Sequence, residues 1–181
     1  MNPRLRTAAI AAAVIVIDRL TKTYIRSQYT SWDVTPVIGG FFNIVHTENP
    51  GAAFGILADS PSAWSSMLLV AVSLVVMAIL GVMLWRPRPA SSQGLGMQSP
   101  GLVSVGLALV FGGAFGNVWD RLFRGTVTDF LQVFFGSYEF PSFNAADSAI
   151  TIGAVLLLID SGLSRRTYWF MGADRVEHES K

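Results

Sequence analysis

Two aspartates lie beside apolar sequence, where a charged side chain is costly. Their position therefore suggests a functional role. Asp129 lies within the β-rich run Gly125-Thr126-Val127-Thr128-Asp129-Phe130, where it has no evident structural role. Asp147 follows Phe143-Asn144-Ala145-Ala146, and it could instead serve only as a helix-capping acid. Two carboxylates held close together tend to share one proton, so that one can activate water while the other protonates a carbonyl oxygen. Together the two acids are therefore candidates for catalysis.

Other catalytic classes have little support in the sequence. The chain has no cysteine, and its two histidines, His46 and His178, lie in no His-Glu-x-x-His motif, so neither a metal nor another cofactor is expected. It has no phosphate-binding glycine loop and no Gly-x-Ser-x-Gly turn. A serine–lysine pair using Lys22 is conceivable, but no serine is marked out to serve it. The net charge of +1 gives no electrostatic support for nucleic-acid binding.

Other polar residues form smaller clusters. Asp18 and Lys22 are spaced i,i+4, which favours a structural ion pair on one helix face, although Lys22 could also anchor at the lipid head groups. The small residues of Glu48-Asn49-Pro50-Gly51-Ala52 fit either a peptide-binding loop or a plain turn.

A third cluster follows a glycine-rich apolar run. Gly112 and Gly116 predict a small-xxx-small face for helix packing. Asn117 and Arg121 share one face if the helix continues, and Arg121 is expected to pair with Asp120 or with a carboxylate nearby in space.

The composition predicts one membrane-embedded domain, residues 1–181, because 51% of the residues are hydrophobic and only 14% are charged. A cleaved signal peptide is disfavoured, because the first apolar run is followed by Asp18-Arg19-Leu20-Thr21-Lys22 rather than by a small-residue cleavage site. The fold class expected is mainly α, with four transmembrane helices and a small β-sheet on the outer, periplasmic face. The spans are expected at about 5–25, 64–84, 97–119 and 147–164.

The arginines predict the orientation. Pairs of arginines lie before the first span (Arg4 and Arg6), in the connection after the second span (86 and 88) and in the tail (165 and 166), whereas residues 27–63 contain no lysine or arginine. By the positive-inside rule both termini are cytoplasmic, and the segments 27–63 and 120–146 face outward. Helix-start signals at Ser60-Pro61 and Ser99-Pro100 support the second and third spans.

The outward segments predict the sheet. A hairpin is expected around Gly39-Gly40, and residues 127–135 read as a strand. Six aromatic residues are expected to be exposed at the membrane interface: Phe41, Phe42, Trp119, Phe130, Phe134 and Phe135.

At its polar motifs the chain resembles the signal peptidase II family. The motifs are DRLTK at 18–22, ENPGAAFG at 48–55, GGAFGNVWDRLFRGTVTDF at 112–130 and FNAADSAI at 143–150. The resemblance implies that Asp129 and Asp147 are the catalytic dyad. It also implies a set of substrate-binding or supporting residues: Asp18, Lys22, Asn49, Gly51, Asn117, Asp120, Arg121 and Asn144. Pro50, Gly55 and Gln132 depart from residues frequent in the family, and they affect only loop shape and substrate fit.

The resemblance also implies a substrate and a location. The substrate is a diacylglyceryl-modified prolipoprotein, cut just before the lipidated cysteine in the bacterial cytoplasmic (inner) membrane, with the active site near the outer leaflet. We expect a monomer that contacts membrane lipid and is inhibited by globomycin-type compounds. The alternatives are a proton-coupled carrier, a metal-dependent lipid phosphatase or transferase, and a non-catalytic assembly factor. Asp160, inside the last span, is given no catalytic role.

Overall fold

Four helices and one antiparallel sheet make up the part of the chain that the structure describes. The structure is a computed structural model that describes residues 2–31, 33–51, 63–85 and 100–178. The elements in chain order are α1 (Pro3–Gln28), β1 (Val34–Ile38), β2 (Phe42–Asn49), α2 (Ala63–Trp85), α3 (Pro100–Arg124), β3 (Val127–Phe135), β4 (Tyr138–Phe143) and α4 (Ala145–His178). The prediction of a mainly helical chain with a small sheet is confirmed.

Some sequence predictions fall on residues that the structure leaves undescribed. These are the helix-start signal at Ser60-Pro61, the whole connection after the second helix (86–99), which includes Ser99, and Ala52 to Gly55 of the second motif. Pro100 is the first residue of α3, as the sequence predicts for a proline at a helix start.

Two helices are long and apolar enough to cross a membrane, within the described ranges. They are Met67–Leu84 in α2 and Gly101–Arg124 in α3. Helix α1 carries Asp18, Arg19 and Lys22 in its second half, and these lower its average hydropathy. The side chains of Asp18 and Lys22 are nevertheless fully buried against the other helices, so they are not exposed on the outer surface of the helix bundle.

The sheet has the strand order β1-β2-β3-β4, with every neighbouring pair antiparallel. The predicted hairpin is confirmed: β1 and β2 are joined through Gly39 and Gly40, and Gly40 takes a φ of 70°, which favours glycine. Strand β3 covers the predicted residues 127–135. Strand β4 was not predicted from the sequence, because Pro141 interrupts its strand-like pattern. The proline is tolerated there since β4 is an edge strand.

Helix α3 packs closely against both α1 and α4 through glycines. A Cβ atom added at Gly112 would lie 2.8 Å from the carbonyl oxygen of Ala11 in α1, and one added at Gly116 would collide with the carboxylate of Asp18. One added at Gly113 would collide with the backbone of Ala146 in α4. The predicted packing role of Gly112 and Gly116 is therefore confirmed, and Gly113 has the same role on the adjoining face.

Three details of the sequence interpretation are wrong. Phe130 is only 6% exposed, because its side chain points inward from β3, so it is not one of the interfacial aromatics. Lys22 is fully buried by acidic partners, so it is not a head-group anchor. Helix α3 continues to Arg124, so Asp120 and Arg121 lie on the helix rather than in an outer loop.

Candidate active site

Asp129 and Asp147 are brought together by the junction between the sheet and the last helix. Asp129 is the third residue of β3, and its side chain is only 3% exposed. Asp147 lies in the first turn of α4. Asn144, between β4 and α4, links the two, because its side-chain amide donates to Asp129 Oδ1 at 2.7 Å and its backbone N–H donates to Asp147 Oδ2 at 3.1 Å.

The start of α4 explains the position of Asp147. The Asp147 N–H donates to Asn144 Oδ1 at 3.0 Å, while the Asp147 side chain accepts from the Asn144 N–H. This reciprocal arrangement is a capping box, so the capping role considered from the sequence is present. It uses one carboxylate oxygen, and Oδ1 of Asp147 faces a different partner.

That partner is Asn117, and Lys22 fixes its orientation. Lys22 Nζ donates to Asn117 Oδ1 at 3.0 Å, and an ammonium group can only donate. The amide oxygen of Asn117 must therefore face Lys22. Its Nδ2 then faces the dyad and donates to Asp147 Oδ1 at 2.8 Å.

Asn49 completes the set from β2. Its Nδ2 donates to Asp129 Oδ2 at 3.0 Å, and its Oδ1 accepts from the Gly51 N–H at 3.0 Å. The Gly51 carbonyl in turn accepts from Arg121 Nη2 at 3.2 Å. Each of the four dyad oxygens thus accepts one hydrogen bond from an asparagine, through a side chain or a backbone N–H.

A buried ionic network lies behind these asparagines. Lys22 Nζ lies 3.0 Å from Asp18 Oδ1 and 2.9 Å from Asp120 Oδ2, so the predicted Asp18–Lys22 pair is confirmed, although it is fully buried. Arg19 Nη1 lies 2.5 Å from Asp120 Oδ1. Asp18 Oδ1 also accepts from the Ala146 N–H at 3.2 Å, which ties α1 to the first turn of α4.

The environment of Asp129 favours its protonated form. Burial raises the pKa of Asp129 to about 7, with a further contribution from the negative charge of Asp147. The hydrogen bonds from Asn49 and Asn144 and the charge of Lys22 oppose this rise only partly. A pKa near neutrality suits a group that gives and takes a proton.

A cavity opens beside Asp147. It has a volume of about 620 Å³ and lies between β4 and α4. Its lining is largely apolar and includes Phe140, Phe143, Ile150 and Ile152. Within the described ranges, no group of three or more His, Cys, Asp or Glu side chains could hold a metal ion. The arrangement is that of two carboxylates that share a hydrogen-bond network at the edge of an apolar cavity.

Comparison with known proteins gives a consistent assignment. The family model described as signal peptidase (SPase) II matches residues 10–163. The chain belongs to the signal peptidase II family.

Two curated relatives are both lipoprotein signal peptidases. The one from Solibacter usitatus is 43% identical over 157 residues, which cover 87% of this chain and 90% of the relative. The one from Syntrophus aciditrophicus is 39% identical over 150 residues, which cover 83% of this chain and 88% of the relative. Membership of the family makes this chain a peptidase.

Solved structures agree with the fold. A bacterial membrane enzyme solved at 2.3 Å resolution superposes with a TM-score of 0.71 at 31% identity, over 85% of each chain. A second, solved at 1.9 Å, has a TM-score of 0.71 at 28% identity, over 85% of this chain and 90% of the other. The fold of these bacterial membrane enzymes therefore extends over most of this chain.

The structure brings all of the predicted site residues of this family member into one connected region. Asp18, Lys22 and Asp120 form the ionic network, while Asn49, Asn117 and Asn144 contact the dyad directly. Arg121 differs from the prediction. No ion pair to a carboxylate is found for it among the described side chains, and it donates to the carbonyls of Gly51 and Asn117 instead.

Arg19 and Arg26 were missed as parts of this region. Arg19 binds Asp120 directly, and Arg26 Nη1 lies 3.7 Å from the same carboxylate. Their spacing could have indicated this, because Arg19, Lys22 and Arg26 are separated by three and four residues and so share one face of α1.

Proposed function

We propose that this chain is a membrane-embedded aspartic endopeptidase that removes the signal peptide from diacylglyceryl-modified prolipoproteins, cutting just before the lipidated cysteine. The observation that carries the proposal is the pair formed by the buried Asp129 and the half-buried Asp147, bridged by Asn144. The names of the curated relatives support the substrate class. No metal or other cofactor takes part in the proposed reaction.

The two aspartates have different tasks in this mechanism. Asp129, whose pKa is about 7, carries the proton that the pair shares and donates it to the scissile carbonyl oxygen. Asp147 takes a proton from the attacking water. Its two oxygens are held by Asn117 and Asn144, so its direction is fixed before the substrate binds.

The reaction proceeds in two steps with balanced protons. In the first, water adds to the carbonyl carbon, its proton passes to Asp147, and the carbonyl oxygen takes the proton of Asp129 to give a neutral gem-diol. In the second, Asp129 takes a proton back from one hydroxyl as the C–N bond breaks. Asp147 then protonates the leaving nitrogen of the cysteine, and the starting protonation state is restored.

The asparagines maintain this geometry without adding charge. A carboxamide donates a hydrogen bond to a carboxylate, but it lowers the pKa of that carboxylate less than a cation would. Asn49, Asn117 and Asn144 can therefore orient both acids while Asp129 keeps a pKa suited to proton transfer at neutral pH.

The cavity between β4 and α4 is the proposed approach for the substrate. It has Asp147 on its wall and follows β4, which is an edge strand among the described strands, in the order β1-β2-β3-β4. An extended signal-peptide segment could add to this edge, with its main chain hydrogen-bonded to β4 and its apolar side chains toward Phe140 and Phe143. The acyl chains would remain in the surrounding lipid.

The proposed membrane arrangement is a single domain of four spans, with both termini in the cytoplasm and the sheet at the outer leaflet of the inner membrane. Large apolar side chains exposed on the helices support it, because such surface suits lipid. They include Val16 and Leu20 of α1, Val75 and Ile79 of α2, and Val155 and Leu158 of α4. The charges of the ionic network lie inside the bundle, where they avoid the cost of contact with hydrocarbon.

The test is cleavage of a synthetic diacylated precursor by the purified protein in mixed lipid–detergent micelles. We expect cleavage by the wild type, with or without EDTA, and at least a thousandfold loss for Asp129→Asn and Asp147→Asn, on the order seen when such groups are removed. Asp33→Asn is the matched control, because Asp33 is exposed and outside the site. Turnover near the wild-type rate by either dyad variant contradicts the aspartic mechanism, and loss of turnover in EDTA contradicts a metal-free one.

A further inference from the structure

A second polar cluster lies on the opposite face of the β2–β3 ribbon from the dyad. Side chains alternate between faces along a strand. Asn49 and Asp129, which contact each other, point to one face. Glu48 and Thr128, which are paired in register and immediately precede them in their strands, point to the other. The cluster therefore lies directly behind the Asn49–Asp129 contact.

Glu48 is the centre of this cluster. Its Oε2 accepts from Thr126 Oγ1 at 2.6 Å, and its Oε1 accepts from Thr128 Oγ1 at 2.9 Å and faces His46 Nε2 at 3.1 Å. Burial alone would raise the pKa of Glu48, but the hydrogen bonds from Thr126, His46 and Thr128 together lower it below its usual value. The group behind Asn49 is therefore a carboxylate, which can only accept hydrogen bonds.

His46 reaches this carboxylate because β2 is irregular at that point. The register between β2 and β3 shifts between Ile44 and Thr47, so that the adjacent residues Val45 and His46 are both buried. A bulge of this kind redirects side chains. The other ring nitrogen of His46, Nδ1, lies 2.9 Å from the backbone carbonyl oxygen of Tyr29, the residue that follows α1.

A count of hydrogens relates the two contacts of the ring to its protonation. The carbonyl oxygen of Tyr29 and the carboxylate of Glu48 are both acceptors, and neutral imidazole has one N–H. Both contacts can be hydrogen bonds only if His46 is an imidazolium. We propose that His46 is protonated in the active enzyme, and that the His46–Glu48 pair positions Asn49 against Asp129 by tying the end of α1 to β2.

The neighbouring charges fit an ion pair at this place. Arg26, from α1, donates to Thr128 Oγ1 at 2.9 Å and so lies on the Glu48 side of the pair. Asp33, in the connection before β1, is close enough to His46 for the two charges to attract. Glu48 is thus the acid in contact with the ring, whereas the fully exposed Asp33 adds only a weak attraction, and Arg26 is directed toward the threonine.

Loss of the ring proton has a defined structural consequence. In a neutral ring one of the two contacts is lost, because a nitrogen lone pair then faces either Glu48 or the Tyr29 carbonyl. Because Glu48 precedes Asn49 in the same strand, the hold on the Asn49 amide then weakens. Cleavage should fall although both aspartates are intact.

Glu48→Gln is an informative variant because it removes the need for the extra proton. A glutamine amide can donate to the unprotonated Nε2 of a neutral His46, while Nδ1–H still donates to Tyr29, and its oxygen can still accept from Thr126. Both contacts of the ring therefore persist while it is neutral, although Thr128 Oγ1 then faces an amide NH₂ in place of its carboxylate acceptor. His46→Phe keeps a planar ring but removes both contacts.

The direct test is ¹⁵N NMR of the folded protein in micelles. The chain has two histidines, so His178→Gln leaves His46 as the single histidine. With ¹⁵N-labelled histidine, both ring nitrogens should give N–H type signals at the pH of maximal cleavage. In the Glu48→Gln form only one should do so. A neutral ring with a single N–H at that pH, with Glu48 intact, overturns the proposal.

The positioning role is tested by the separate effects on kcat and KM, and this part rests on the proposed peptidase activity. His46→Phe should lower kcat about tenfold with little change in KM, since a charged hydrogen bond contributes on that order. Glu48→Gln should lower kcat less than His46→Phe does, because both contacts of the ring can persist. A wild-type kcat in His46→Phe, or an equal loss of kcat in the two variants, overturns the role.

The two proposals fail separately. The NMR signal of His46 does not depend on turnover, so it remains interpretable if Asp129→Asn and Asp147→Asn retain activity and the aspartic mechanism is wrong. A neutral His46 ring, conversely, leaves the dyad untouched.

Discussion

Asp129→Asn should change the way in which stability depends on pH, because the burial of this acid is costly when it is ionised. Its pKa moves from the ordinary value of 3.8 to about 7 in the folded chain. Between these two values the folded state holds a proton that the unfolded state has released, so the free energy of unfolding falls as the pH rises. At 1.36 kcal/mol for each pKa unit, the fall amounts to at most about 4 kcal/mol.

Asparagine cannot titrate, so the free energy of unfolding of the variant lacks this pH-dependent fall. The neutral amide also places an NH₂ group opposite the Asn49 or Asn144 donor, which costs about 1–3 kcal/mol at every pH. The informative quantity is therefore the pH dependence of the difference between wild type and variant. From about pH 4 to about pH 8, the wild type should lose up to about 4 kcal/mol relative to Asp129→Asn.

Unfolding in mixed micelles, followed by tryptophan fluorescence across this pH range, measures the difference. If detergent prevents reversible unfolding, the relative melting temperature should still shift by on the order of 10 °C, at a few degrees per kcal/mol. Asp33→Asn is the control, because hydrogen bonds from Thr30 lower the pKa of the exposed Asp33 and give its effect the opposite sign.

A difference between wild type and Asp129→Asn that stays constant over this range would refute the reasoning. It would mean that Asp129 titrates alike in the folded and unfolded states. The proton assigned to it in the reaction would then have to come from elsewhere.

Three further predictions concern the groups that hold the dyad. Gly113→Ala should destabilise the chain by about 1–3 kcal/mol through overpacking of α3 on α4, whereas Gly81→Ala, whose added methyl meets its nearest atom at 3.9 Å, should be nearly neutral in melting temperature. Lys22→Met should cost about 3–5 kcal/mol because it leaves buried carboxylates without their cation, and the partly exposed Arg19→Met should cost less in the same unfolding assay. Asn144→Ala should lower both stability and cleavage, and Asn144→Ser should restore the helix cap, about 1 kcal/mol, without restoring the cleavage rate; recovery of both by serine would contradict the bridging role.

Much of the fold was predictable because local and tertiary preferences agree. The β-branched run 127–135 forms β3 with the predicted bounds, and the two glycines at 39–40 form the hairpin turn. Asn144 and Asp147 form the cap that their spacing indicates. In each case one short stretch of sequence contains both the residues that favour the strand or helix and the turn or cap residues that end it.

The remaining features depend on partners distant in the chain. Phe130 reads as an interfacial aromatic, but the register of β3 turns it inward. Lys22 reads as half of a local pair, but its contacts with Asp120 and Asn117 exist only because glycines let α3 approach α1. Arg121 pairs with backbone carbonyls, since the other basic residues already surround Asp120. A local sequence pattern cannot predict which of several distant residues a side chain will contact.

The position of Lys22 relative to the dyad follows from opposite electrostatic requirements. The two acids need rigid donors to fix their directions, and a direct ammonium contact would be the strongest such donor. It would also lower the pKa of Asp129, which must stay near 7 to donate a proton. With Asn117 between them, Lys22 fixes the amide through Oδ1 while the neutral Nδ2 contacts Asp147. The cation thus supplies orientation, and the intervening amide limits its effect on the proton that the dyad shares.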